Sequence, residues 1–136
     1  MRWALARRAE ALDAVRDNAN SGKLRVYSGT RPTNADTALS GNTLLAELTM
    51  NATAFPASSG GVLTANAITS DSSADATGTA SFVRLLESDG TTVVADFGVT
   101  TSAPANGTEV QLNTLSIVAA AVVSCSAFTI TFGVGS

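Results

Sequence analysis

The sequence predicts a mainly β protein, an antiparallel β-sandwich or jelly roll that follows an N-terminal α-helical arm. From residue 23 onward, apolar residues alternate with polar ones in short Thr- and Val-rich runs, and Gly, Asn and Asp separate these runs. In the first twenty residues the apolar positions instead recur at helical spacing. A chain of 136 residues is one ordinary domain. We therefore expect a helical arm over residues 1–22 and a β-sandwich domain over 23–136.

The arm is predicted from an apolar stripe. A helix is expected from Trp3 to about Asn18, and the run from Asn18 to Gly22 ends it, because Asn and Gly adopt the turn conformations found at helix ends. The stripe consists of Leu5, Ala9, Leu12, Val15 and Ala19. Such a stripe must lie against something. The candidates are the β-body itself, a neighbouring protein, or a membrane surface. The three acids in this segment argue against a membrane surface, because they would be repelled by anionic lipid.

The strands of the body are predicted in chain order from the alternation. They are expected over 23–27, 43–50, 62–70, 79–87, 91–97, 109–113, 114–118 and 122–132. Ser88, Asp89 and Gly90 separate two alternating runs, and this Asp-Gly signal predicts a β-hairpin. The polar stretches 30–42 and 70–75 are predicted to be loops.

The same alternation predicts much of the core. The expected core residues are Phe82, Val93, Phe97, Val110, Leu112, Phe128, Ile130 and Phe132. One position stays open, because an inward Phe82 places Arg84 on the same face. Val83 and Leu85 are then the alternative inward pair.

Charge divides the chain into two unlike parts. Residues 1–31 carry seven basic residues against three acids, whereas 32–136 carry Arg84 against eight acids. A basic arm on an acidic body favours a protein that attaches by its arm. The predicted partner-binding residues are Trp3, Leu5, Arg7, Arg8, Leu12, Val15 and Arg16. A net charge of −3 argues against nucleic acid as a direct partner. No apolar run approaches the roughly 20 residues that cross a bilayer, and residues 1–20 lack the apolar centre of a secretory signal.

The sequence offers little for catalysis, and we expect no enzyme. It contains no histidine, which removes the commonest general base and metal ligand. Asp71 and Asp75 form one pair of nearby carboxylates and Glu87 and Asp89 another, but both pairs lie in Ser- and Gly-rich loops. Neither pair has an EF-hand pattern, and no phosphate-binding loop occurs, so no metal or cofactor is expected. The single Cys125 is expected to be a small buried strand residue.

Several segments resemble a known class of proteins. They are Leu24–Gly29 (LRVYSG) with the following Thr-Arg-Pro, Gly41–Met50 (GNTLLAELTM), Gly60–Ile68 (GGVLTANAI), Ala76–Val99 (ATGTASFVRLLESDGTTVVADFGV), Glu109–Ile117 (EVQLNTLSI) and Phe128–Gly133 (FTITFG). Their succession resembles the jelly-roll cement, or head-decoration, proteins of tailed bacteriophages. The likeness covers about residues 24–133, in strand pattern and turn placement. The extended arm of such proteins resembles residues 1–22 only in general character.

The resemblance implies a structural virion protein. Such a protein binds the outer surface of the capsid and stabilises it by bridging subunits of the major capsid protein, often as a dimer or trimer, without a cofactor. It would be made in the host cytoplasm and reside on the virion. The alternatives are another virion part, such as a tail-tube, tail-tip or fibre-associated module, and a free carbohydrate- or ligand-binding sandwich. The carbohydrate-binding alternative is weakened by the scarcity of aromatic residues, because sugar-binding surfaces usually expose Trp or Tyr. Here Trp3 lies in the arm and Tyr27 in the first strand.

Overall fold

The computed structural model describes residues 4–102 and 109–131. This part of the chain contains one α-helix, α1 (Leu5–Ala19), and nine strands. They are β1 (Lys23–Tyr27), β2 (Leu44–Thr49), β3 (Val62–Thr64), β4 (Gly78–Thr79), β5 (Phe82–Leu86), β6 (Val93–Thr100), β7 (Glu109–Leu112), β8 (Ser116–Ile117) and β9 (Cys125–Thr131). Trp3 and Phe132, which the sequence assigned to a partner contact and to the core, lie outside the described residues.

The strands form one curled seven-stranded sheet and one small ribbon. The order in the large sheet is β2-β1-β5-β6-β7-β9-β3, and β4 pairs with β8 in the ribbon. The pairings are antiparallel except that of β6 with β7, which is parallel over Gly98–Thr100 and Glu109–Gln111. The predicted class, a mainly β sandwich with an N-terminal helix, is confirmed. The sheet is mixed, whereas the sequence predicted antiparallel pairing throughout.

The Asp-Gly hairpin is confirmed between β5 and β6. Gly90 adopts a positive φ of 72°, which glycine reaches without steric cost. The carboxylate of Asp89 accepts hydrogen bonds from the backbone N–H groups of Thr91 and Thr92 at 2.9 Å and from the Thr92 hydroxyl at 2.6 Å. These bonds to the ionised form lower the pKa of Asp89, with those from Thr92 contributing most. The turn is therefore fixed by its own side chains.

The core is centred on an aromatic cluster. The ring of Phe128 meets Phe97 edge-on at 4.9 Å and Phe55 at 5.6 Å between centroids. Most of the predicted core residues in the described part of the chain are buried, namely Phe82, Phe97, Val110, Leu112 and Phe128. Val93 and Ile130 are only half-buried. Ile130 pairs with Leu63 of β3, the edge strand, where less of the body covers it.

Strand β5 is buried on both faces, which settles the choice between its two inward sets. All five of its residues are buried. Val83 and Leu85 belong to the main core cluster. On the other face Phe82 stacks on Tyr27 at 5.4 Å, and Arg84 donates a hydrogen bond from Nη2 to the carbonyl of Thr37. The loop over residues 30–42 therefore covers this face. Phe82 is buried as predicted, but the pair that faces the main core is the alternative one, Val83 and Leu85.

Residues 69–76, which we call the strap, close the free edge of β2. The sequence predicted residues 70–75 to be a solvated loop, and they do lie outside the strands with most positions exposed. It did not predict the backbone contacts that this loop makes with the body. Thr69 forms a β-bridge with Thr49 of β2, and Asp71 forms another with Val123. Further along, the backbone N–H of Asp75 donates to the carbonyl of Leu45 at 2.7 Å. The strap thus satisfies edge groups of β2 that would otherwise template pairing with another chain.

Candidate interaction surface

The helix α1 lies against the β-body. Leu12 and Ala19 are fully buried and belong to the main hydrophobic cluster, while Ala9 and Val15 are half-buried. The apolar stripe therefore lies on the predicted side of the helix. Its C-terminal part packs against the β-body, which was one of the three candidate surfaces. Leu12, assigned above to a partner contact, instead lies in the protein's own core, because burying its side chain there removes apolar area from water.

The junction after α1 fastens the helix to the body. The side-chain oxygen of Asn20 accepts a hydrogen bond from the backbone N–H of Ala54 at 2.9 Å. The N–H of Ser21 donates to the carbonyl of Asn51, and the N–H of Met50 donates to the carbonyl of Gly22. A Cβ at Gly22 would stand 2.5 Å from the carbonyl oxygen of Leu86. Only glycine fits this approach, so the end of α1 is positioned by backbone contacts.

The accessible part of the predicted contact surface is the N-terminal half of α1, which we call the helix end. Leu5 is 53% exposed. Arg7 and Glu10 form an ion pair at 2.9 Å, with about 60% of each side chain exposed. Arg8 is half-buried, and its Nε has no hydrogen-bond partner among the described residues. An exposed ion pair of this kind stabilises a fold by little, so Arg7 is free to exchange its partner.

The two remaining predicted contact residues, Val15 and Arg16, are half-buried. Arg16 contacts Asp13 at 3.2 Å and Asp17 at 3.0 Å, and the hydrogen bond that its Nε donates to Asp17 raises the pKa of the guanidinium. These charges therefore offset one another along the helix surface.

A second accessible apolar surface lies in the turn between β8 and β9, which the sequence analysis missed. Val118 is 56% exposed and Val122 is 55% exposed; with Leu5 they are the large exposed hydrophobic residues of the described chain. The three alanines between them are exposed as well. We call residues 118–122 the apolar turn. The signal that could have revealed it is the run of seven apolar residues from Ile117 to Val123, which no polar residue interrupts.

The apolar turn is held rigidly by the strap. The N–H of Ala121 donates to the carbonyl of Val118 at 3.0 Å, which closes the turn. The N–H of Ala120 donates to the carbonyl of Ala74, and the N–H of Ala74 donates to the carbonyl of Ala121. Ala120 has a φ of 69°, a conformation in which turns favour glycine. The turn therefore presents its side chains from a fixed backbone.

No three His, Cys, Asp or Glu residues of the described chain come together as a metal site. Asp71, one of the two suggestive loop carboxylates, accepts hydrogen bonds from the N–H groups of Glu47 and Ser73 at 2.9 Å. Burial raises the pKa of the half-buried Cys125 to about 11, so its thiol is protonated at neutral pH.

An open groove of about 290 Å³ borders the loop over residues 30–42. It is lined by Arg31, Pro32, Thr33, Asn34 and Ala35 on one side and by Val94, Ala95 and Asp96 of β6 on the other. Both carboxylate oxygens of Asp96 already accept hydrogen bonds from Arg84, at 2.7 and 2.9 Å. The groove thus offers no free buried acid or base.

These features define a mainly β protein with a docked helix, in which three arginines balance three acids, and two accessible apolar surfaces. α1 is too short and too polar to cross a bilayer, and it is the helix of the described chain. A comparison of the chain with models of protein families, with curated proteins and with solved structures finds no match. Any assignment of function therefore rests on the residues described here.

Proposed function

We propose that this protein is a structural component of a tailed-bacteriophage virion. In this proposal it binds the outer surface of the capsid and stabilises the shell by bridging subunits of the major capsid protein. It acts as a homo-oligomer, contacts no nucleic acid or membrane directly, and requires no cofactor. The resemblance over residues 24–133 is the origin of the proposal, and the structure supplies its physical support.

The observation that carries the proposal is the presence of two accessible apolar surfaces that differ in charge. The helix end presents Leu5 with Arg7, Arg8 and Glu10. The apolar turn lies within residues 110–131, which contain no charged residue. A protein with two unlike contact surfaces suits a linker in an assembly, since each surface takes a different neighbour.

The body has properties that suit repeated placement on a shell. The strap covers the β2 edge, which opposes uncontrolled pairing between copies. Individual contacts need not be strong, because a protein engaged at several points gains from high effective concentration.

The proposal is tested by mixing the full-length protein with undecorated shells and measuring co-sedimentation. We expect saturable binding that weakens as salt increases, because exposed charges are screened over about 10 Å at 0.1 M salt. Arg7→Glu should reduce occupancy. Arg31→Glu is the matched control, since Arg31 is also exposed but lies in the loop over residues 30–42, and it should bind like the wild type. Absence of wild-type binding at low salt would refute the proposal.

A further inference from the structure

Arg8 lies on the docked face of α1, between a side chain that the body covers and one that it does not. Residues three or four positions apart are neighbours on one helix face, so Leu5, Arg8 and Leu12 form a row. Exposure falls along this row, since Leu5 is 53% exposed, Arg8 is half-buried and Leu12 is 1% exposed. The body therefore covers the row from Arg8 onward, and Leu5 lies beyond its border.

Arg8 has no acidic partner within its own chain. The other two arginines of α1 are both ion-paired with acids of the same helix. All 11 Asp and Glu residues of the sequence lie in the described part of the chain, and none of them forms an ion pair with Arg8. Its Nε is sealed from solvent without a hydrogen-bond partner among the described residues. A partly desolvated cation without a partner costs free energy, so Arg8 is left uncompensated in the isolated protein.

We propose that Leu5 and Arg8 form the directional contact of the helix end with its protein partner, and that the partner supplies a carboxylate beside an apolar side chain. The carboxylate accepts hydrogen bonds from the Nη groups of Arg8, which solvent reaches, and the apolar side chain covers Leu5. A guanidinium presents two parallel N–H donors that match the two oxygens of a carboxylate, and this selects an Asp or Glu side chain. The inference rests on the proposed function, because the partner is then the major capsid protein.

Arg7 lies on a different side of the helix and should contribute differently. Adjacent helical residues are turned by about 100° from each other, so Arg7 lies outside the row. Its side chain is largely exposed and is already paired with Glu10. Its charge therefore attracts an acidic partner at long range, an effect that salt screens. Arg8 instead makes a partly covered contact, which salt screens less.

The experiment measures co-sedimentation with undecorated shells for substitutions at the two arginines. Arg8→Met should weaken binding at least about 30-fold, the lower end of the loss expected when a covered, hydrogen-bonded charge pair is broken. Arg8→Lys should recover little of this loss, because lysine keeps the charge but lacks the paired N–H donors. Arg7→Lys should bind like the wild type. The control Arg31→Met, which removes an exposed arginine of the loop over residues 30–42, should do the same.

Leu5→Ser tests whether the two side chains belong to one contact. Alone it should weaken binding about tenfold, because Leu5 then no longer gains from being covered by the partner. Added to Arg8→Met, it should weaken binding by clearly less than a further tenfold, since the effects of side chains in one contact are not additive. A full further loss of about tenfold would separate Leu5 from the Arg8 contact and overturn the inference.

A measurement on the isolated protein separates binding from a structural role of Arg8. Met fills the space of the arginine stem and leaves no uncompensated charge. Arg8→Met should therefore unfold at the same urea concentration as the wild type or at a higher one. A clearly lower urea midpoint would show that Arg8 is compensated within its own chain, and the inference would be wrong.

The outcomes distinguish this inference from the proposed function. If the wild type binds shells and Arg8→Met binds equally well, the inference is wrong and the proposed function stands. Equal binding by Arg8→Lys and the wild type would show an effect of charge alone and reject the paired contact with a carboxylate. If the wild type does not bind shells, the proposed function is refuted, and this contact is refuted with it.

Discussion

Arg25 of β1 and Arg84 of β5 lie directly opposite each other in the sheet. Each arginine forms an ion pair with a carboxylate on its other neighbouring strand, β2 for Arg25 and β6 for Arg84. Arg25 contacts Glu47 of β2 at 2.6 Å, and Arg84 contacts Asp96 of β6 at 2.7 Å. The four residues form one row across four strands. Like charges opposite each other destabilise a sheet, so the two flanking acids offset the repulsion between the arginines. The hydrogen bond that each arginine donates to its acid raises the pKa of that arginine.

The two pairs in this row differ in burial and should differ in strength. The Arg84 and Asp96 side chains are 6% and 8% exposed, whereas those of Arg25 and Glu47 are 28% and 33% exposed. Arg84→Ala leaves a buried carboxylate without its partner and should lower the free energy of unfolding by about 3–5 kcal/mol. Arg25→Ala should lower it by about 1 kcal/mol or less.

Urea denaturation of the two variants checks this prediction. Replacing the buried pair together, with Arg84→Met and Asp96→Val, should restore most of the stability, because no uncompensated charge then remains. If Arg84→Ala costs no more than Arg25→Ala, the buried pair does not hold the loop and the sheet together as described.

Gly22 should be intolerant of a side chain because of contacts with the backbone. A Cβ there would lie 2.5 Å from the Leu86 carbonyl oxygen and 2.8 Å from that of Ala19. We expect Gly22→Ala to lower the free energy of unfolding by about 3 kcal/mol, the upper part of the range for overpacking. Gly60→Ala is the control, since Gly60 has a φ of 61° and open space around it. It should cost about 1 kcal/mol from left-handed strain alone. An equal loss at both positions would show that α1 is not fixed through this approach.

Phe128 should contribute more to stability than Ile130 on the same strand. Phe128 is 2% exposed and contacts two other aromatic rings, whereas Ile130 is half-buried beside the edge strand. Phe128→Ala should lower the free energy of unfolding by about 3–5 kcal/mol, and Ile130→Ala by no more than about 2 kcal/mol. Chemical denaturation of both variants measures the difference, and a larger loss at Ile130 would move the centre of the core toward the edge.

Asp89 should stabilise the hairpin in a pH-dependent manner. Its folded-state pKa is lowered, so its contribution is fully present above the unfolded pKa near 3.9 and is lost as pH falls toward the folded value. Asp89→Ala should therefore be less stable than the wild type at pH 7, and the difference should narrow below about pH 4. Ser88→Ala, in the same turn, lacks a titratable group and should show a pH-independent difference. A constant gap for Asp89→Ala down to pH 2 would contradict the role of its carboxylate.

Local patterns predicted the parts of the fold that depend on neighbouring residues. The helix stripe and the Asp-Gly hairpin depend on residues a few positions apart, so the sequence locates them. Most of the predicted core is buried for the same reason, because alternation along a strand separates its two faces. On β5 both faces are buried, which alternation alone does not reveal.

The remaining features depend on residues far apart in the chain. The strap pairs Asp71 with Val123, and the burial of Leu12 requires a β-body built from later residues. The apolar turn was not predicted, because the sequence pattern places Val118 and Val122 at the ends of predicted strands. Their exposure depends on contacts with the strap, which is distant in the chain. Of the predicted contact residues, Leu5 and Arg7 are exposed, whereas Leu12 is in the core.

The central claim, that this protein is a capsid-bound structural component, is tested most directly by a map of the virion that carries it. Labelling the protein through an added tag and comparing maps of labelled and unlabelled particles locates its density. The account predicts density on the outer shell that follows icosahedral symmetry and bridges neighbouring capsid subunits. Density confined to the tail, or particles that contain none of the protein, would contradict it.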